Sequence, residues 1–226
     1  MRSDVRAPIA ASIVSALLLA PLALLAYWIG PTARLDRSLL VHLDRPDGSR
    51  SHELFSQVAH LCDPLPFALI LAAIVAIGVG ARRIRETVVA LVLVAGATLT
   101  TQVLKQLLDH SRFEIQYGLH QPLSDAFPSG HATAAAALAA ALLLVVPPRL
   151  RPLAAGAGAA FAGAVGIAVV VIQWHYPSDV VGGLLVVASW TFAAIAALRL
   201  LSPRGPEGPP RERSETASGR FAVSLQ

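Results

Sequence analysis

Three stretches of this chain hold side chains suited to one kind of chemistry. Lys105 and Arg112 stand seven residues apart. The ammonium is a compact charge, while the guanidinium can grip two oxygens at once. Pro128-Ser129-Gly130-His131 sits directly before an alanine-rich run of high helix propensity. Ser129 therefore suits a helix cap, Gly130 lets a ligand approach the backbone, and the amides at that helix start form an anion site. His175 and Asp179 are four residues apart, with Pro177 acceptable in a first helical turn. This spacing fits an imidazole nucleophile whose second ring nitrogen is held by a carboxylate. His131 then suits the acid that protonates a departing alkoxide. Together these donors would stabilise the equatorial oxygens of a pentacoordinate phosphorus.

Taken singly, none of these residues carries that reading. A lone histidine often satisfies a helix end, Asp179 could be an ordinary N-terminal helix acid, and Lys105 and Arg112 could be interfacial anchors. The combination is what counts, provided that the fold brings the stretches together. A metal site from His110, His120, His131 and His175 matches no familiar ligand spacing. Cys62 is the sole cysteine, which excludes an internal disulfide and a cysteine-based zinc site. Neither metal nor cofactor is expected.

The elements that must position these groups are read from composition. Of 226 residues, 55% are hydrophobic and only 14% charged, with a mean hydropathy of +0.62. That balance suits a bilayer rather than a soluble domain. Apolar runs at about 8–29, 65–81, 87–104, 130–147, 153–173 and 180–200 approach or meet the roughly 17–25 residues of a membrane span. The predicted fold is all-α, a six-helix transmembrane domain over residues 1–201, with a Pro-, Gly- and Arg-rich cytoplasmic tail at 202–226 expected to be disordered. Thr98, Thr100, Thr101 and Gln102 are expected to bond between helices, and Trp28, Trp174 and Tyr176 to lie at span ends.

Basic residues set the orientation. With the N-terminus cytoplasmic, twelve fall inside and six outside, and the short loops 82–86 and 147–152 carry only arginine as their basic residues. The positive-inside rule then places both termini in the cytoplasm. Segments 30–64, 105–129 and 174–179 lie outside, so all three chemical stretches share one face. Because the arginines flank apolar segments and form no continuous stripe, nucleic acid is not an expected partner. Leu35, Leu39, Leu40 and Leu43 predict a short amphipathic helix on the membrane surface, covering the bundle.

The three stretches closely resemble the signature of the type 2 phosphatidic acid phosphatase (PAP2) family, which includes bacterial lipid phosphatases and shares its site with vanadium haloperoxidases. The resemblance spans the third helix to the sixth. It implies that Lys105, Arg112, Ser129 and Gly130 bind phosphate, that His131 is the general acid, and that His175 forms a phosphohistidine assisted by Asp179, without metal. Phe113 stands where the family pattern has proline. The family's Ser-Arg pair falls on Ala168 and Val169, so its second phosphate-binding arginine is missing, with Gln173 or an arginine among Arg34, Arg37, Arg45 and Arg50 as a candidate replacement. Losing one such contact is comparable to losing one oxyanion donor, about 2–4 kcal/mol of transition-state binding.

The reading is a multi-pass phosphatase of the cell (inner or plasma) membrane, its active site on the extracytoplasmic side. Its substrate partner would be a lipid phosphate or prenyl diphosphate, such as phosphatidic acid, phosphatidylglycerophosphate or undecaprenyl diphosphate. The alternative is a lipid-phosphate binding or transport protein that kept the pocket and lost catalysis with the arginine.

Overall fold

The computed structural model describes residues 3–28, 30–43, 48–108 and 127–201. Among them the chain is helical, in the order α1 (Ser3–Leu17), α2 (Leu19–Trp28), α3 (Gly30–Leu43), α4 (Arg50–His60), α5 (Pro64–Gly80), α6 (Ile84–Leu108), α7 (Gly130–Val145), a 3-10 turn at Pro148–Leu150, α8 (Arg151–Val171) and α9 (Pro177–Leu201). The predicted tail beyond residue 201 lies outside the described residues.

Four helical segments are long and apolar enough to cross a membrane: Val5–Ala26, Ile84–Leu108, Pro148–Val171 and Pro177–Leu201. A fifth is counted if α4 and α5, bent by 55° at their junction, act as one. α7 has only 16 residues, a length of about 24 Å, and falls short of the roughly 30 Å hydrocarbon core. By length and composition four or five of the six expected spans qualify, and α7 is a shorter apolar helix.

Two breaks follow from proline. Pro21 has no amide to offer the Leu17 carbonyl, so the first apolar run divides into α1 and α2 around Leu18. Pro64 opens α5 at its first position, where a missing amide costs nothing. The segment 30–64, expected outside, holds two helices before α5 among its described residues, α3 and α4. Of the four leucines of α3 only Leu40 turns inward, at 3% exposure, while Leu35, Leu39 and Leu43 remain exposed.

Glycines set how closely the spans meet. A Cβ on Gly78 of α5 would collide with Thr87 of α6 and stand 3.1 Å from Val145 of α7. A Cβ on Gly183 of α9 would stand 2.9 Å from the Ser129 carbonyl oxygen and from Thr133 Oγ1. Small residues at such crossings let backbones approach within lipid. The Gly78 crossing pins α5, α6 and α7 at one end of the bundle, and the Gly183 crossing draws the start of α7 onto α9 at the other. Between them the core is Leu93, Val94 and Ala97 of α6, Leu138 and Ala141 of α7, and Val186 of α9.

Candidate active site

The N-terminus of α7 and the turn before α9 meet at one end of the bundle. Ser129 has extended backbone angles and its Oγ accepts from the Ala132 amide at 3.3 Å, as expected of a cap. The Thr133 hydroxyl donates to the Ser129 carbonyl at 2.8 Å, and Thr101 of α6 meets Thr133 at 3.0 Å. The Ser129 amide donates to the Asp179 carbonyl at 2.9 Å, joining the two motifs through the backbone. Ser129 is wholly buried. Its own amide is engaged, and Gly130, His131 and Thr133 of the first turn of α7 line the cavity.

His175 sits in the turn after α8. The Val169 carbonyl accepts from both the Trp174 amide, at 2.9 Å, and the His175 amide, at 3.0 Å, and Gln173 adopts a positive φ of 60° to make the turn. Asp179, fully buried in the first turn of α9, accepts from the Tyr176 amide at 2.9 Å. The same Oδ2 lies 3.3 Å from His175 Nδ1. With the proton on Nδ1, that nitrogen donates to Asp179 and the ring's Nε2 lone pair becomes the nucleophilic position.

A cavity of about 400 Å³ opens beside these groups, lined by Lys105, Gly130, His131 and His175 among others. The His131 and His175 rings lie 6.5 Å apart, centroid to centroid. That gap admits a phosphoryl group and keeps both rings within reach of it. Pro64 and Phe67 of α5 and Thr98 and Gln102 of α6 form the side wall. Of the expected interhelical partners, Thr101 binds Thr133 and Thr100 accepts from Trp190 Nε1 at 3.0 Å. Arg112 lies outside the described residues, as do His110, His120 and Phe113. No group of three or more potential metal ligands occurs among the described residues.

Two carboxylates near the site escaped the sequence reading. Asp63 is the residue before α5, yet its side chain makes no capping bond. Instead Oδ2 lies 2.8 Å from His60 Nδ1, and Oδ1 lies 3.5 Å from His131 Nε2. Trp174 stands beside both imidazoles, at 5.3 Å from each ring. A usable signal existed in the three-residue spacing of His60 and Asp63. Asp36 of α3 is only 8% exposed and accepts from the Ser178 amide at 3.2 Å, one residue from Asp179. Burial pushes its carboxyl above the usual range, opposed by the bonding to Ser178. Cys62, on the cavity wall, has its thiol pushed up to about 12, first by burial and then by Asp63.

The position of the missing arginine is filled differently. Val169 and Ala168 are fully buried, in a cluster with Ala59 of α4, Ala135 of α7 and Val165 of α8. Arg34 and Arg50 are exposed, and no arginine lines the cavity among the described residues. The side chain of Arg37, and Arg45, are outside the description.

Comparison with known proteins gives two matches. The PAP2 superfamily pattern matches residues 86–201. A crystal structure described as the first transmembrane PAP2 type phosphatidylglycerolphosphate phosphatase from Bacillus subtilis shares the fold, with a TM-score of 0.71 at 21% identity over 85% of this chain and 98% of that one. No curated protein sequence matches the chain.

Proposed function

The chain belongs to the PAP2 superfamily, and on that premise we propose that it is a membrane phosphatase hydrolysing a lipid phosphate or prenyl diphosphate. The observation that carries this is the pair of imidazoles, His131 and His175, 6.5 Å apart on a cavity that Lys105 also lines. Its His175 faces a fully buried Asp179.

In the proposed reaction, His175 Nε2 attacks phosphorus in line with the bond to the leaving oxygen. Lys105, Arg112 and the Gly130 and His131 amides hold the equatorial oxygens, with Ser129 fixing the helix start that presents those amides. Asp179 orients the ring through Nδ1 and stabilises the phosphoimidazolium charge. As the P–O bond breaks, His131 gives its proton to the alkoxide, then takes one from the water that attacks the phosphohistidine and releases phosphate. No step calls for a metal, so activity should survive chelation.

Access is lateral in this reading. Helices α5 and α6 touch closely at Gly78 and Thr87 and are separated by the cavity near Phe67 and Gln102. A lipid chain can lie in that wedge while its phosphate reaches the histidines. The six-span topology, cytoplasmic termini and outward-facing site belong to the same proposal, supported by the arginine distribution.

The test is phosphate release by purified full-length protein from phosphatidic acid, phosphatidylglycerophosphate and undecaprenyl diphosphate, beside His175→Ala. Release should vanish in the variant, and acid-quenched wild type should carry an acid-labile phosphate on His175. Release unchanged in His175→Ala overturns the mechanism. The apolar Val169 favours the second reading, a lipid-phosphate binding or transport protein; tight binding without release from any substrate would establish it.

A further inference from the structure

A second cavity, of about 590 Å³, lies at the end of the bundle opposite the histidines. Arg83 and Arg85 at the start of α6, Arg151 at the start of α8 and Arg199 near the end of α9 line it. Glu86 is the one acid among its described lining residues. Its opposite wall is apolar, from Leu143 and Leu144 of α7 and Ile195 of α9.

Arg83 is turned into this cavity rather than out to water, its side chain only 17% exposed. Its Nη2 donates to Glu86 Oε1 at 2.7 Å and to the Leu144 carbonyl at 3.3 Å. Its Nε–H is buried and has no acceptor. A buried donor left unmet is costly, and so is like charge gathered from three helices into one recess. An anion seated there relieves both. Arg85, Arg151 and Arg199 are exposed and stand around the same recess, so their head groups ring it at the water side. Ile84, Leu150, Leu200 and Leu201, at the same end, are exposed, which continues the apolar wall outward to where acyl chains would lie.

We propose that this cavity binds the phosphodiester headgroup of an anionic phospholipid from the leaflet at that end, with an acyl chain along the leucine wall. The site is separate from the catalytic cavity, and a phosphodiester is not a phosphomonoester substrate, so the proposal stands or falls independently of the hydrolytic reading.

The experiment measures thermal melting and native mass spectra of the full chain in neutral detergent, titrated with short-chain phosphatidylglycerol, phosphatidylcholine or inorganic phosphate. Phosphatidylglycerol should raise the melting temperature and remain bound, whereas phosphatidylcholine should do neither. Arg83→Gln combined with Arg151→Gln should weaken phosphatidylglycerol binding at least tenfold. Arg149→Gln removes an exposed arginine at the same end that does not line the cavity, and should leave binding unchanged. If Arg149→Gln weakens binding equally, the effect is diffuse surface charge and the proposal fails. Equal stabilisation by inorganic phosphate alone would make this a soluble-anion site and overturn the lipid assignment. Should the Arg83 variant not fold, Arg199→Gln, which leaves the Arg83–Glu86 pair intact, must still cause the loss; retained affinity there refutes the proposal.

Discussion

Asp63 has left the usual work of a residue preceding a helix, and its two oxygens face two histidines instead. In the proposed mechanism it orients His131 from outside the reacting atoms. Asp63→Ala should lower kcat by less than the about 10²–10⁴-fold that a general acid itself contributes, while His60→Ala, one step further out, should lower it less again; steady-state phosphate release measures both. Asp36 acts on the opposite histidine through the start of α9. Its carboxyl is held above the usual carboxylate range chiefly by burial. The stability it contributes is therefore present in full below the unfolded pKa and lost as pH rises through the folded one, so at neutral pH the charge is a cost. Asp36→Asn removes the charge and keeps an acceptor for the Ser178 amide. Asp36→Ala leaves that buried amide unmet, at about 1–3 kcal/mol. Melting at pH 7 should rank Asn at or above wild type and Ala clearly below Asn. The motif residues were legible because a helix cap or a four-residue spacing is a local fact. Asp36 was not, because its partner is 142 positions away.

At the scale of elements, the α7–α9 crossing is what turns two sequence motifs into one site. Gly183 has no room for a side chain: a Cβ would press on the Ser129 carbonyl, which is backbone and cannot swing aside. Gly183→Val should cost about 1–3 kcal/mol by overpacking. It should also lower kcat more than Gly163→Val, where a Cβ meets open space; melting and turnover of the two variants, compared side by side, check this. Hydropathy located α5 to α9 within a few residues, because apolar runs ending at Pro or Arg define spans well. It could not divide 30–64 correctly. Whether Leu40 or Leu39 faces inward depends on the neighbours that α3 meets, and α4 is held by packing of Ala59 with Val165 and Ala168 of α8.

For the whole molecule, polarity runs from a histidine-bearing end to an arginine-bearing one. The proposed orientation puts the first outside the cell. In a Cys62→Ser background, a membrane-impermeant maleimide applied to intact cells should label Glu53→Cys, and should reach Arg82→Cys and Arg149→Cys only after permeabilisation. All three positions are exposed. The opposite pattern would turn the catalytic cavity toward the cytoplasm. The backbone hook on which His175 hangs has a bearing on descent. Because the turn carrying His175 is secured by the main-chain oxygen of residue 169, the identity of that side chain is decoupled from the loop's shape. In the proposed mechanism, exchanging a cation for a packing residue there retunes substrate grip and leaves the scaffold for attack unaltered.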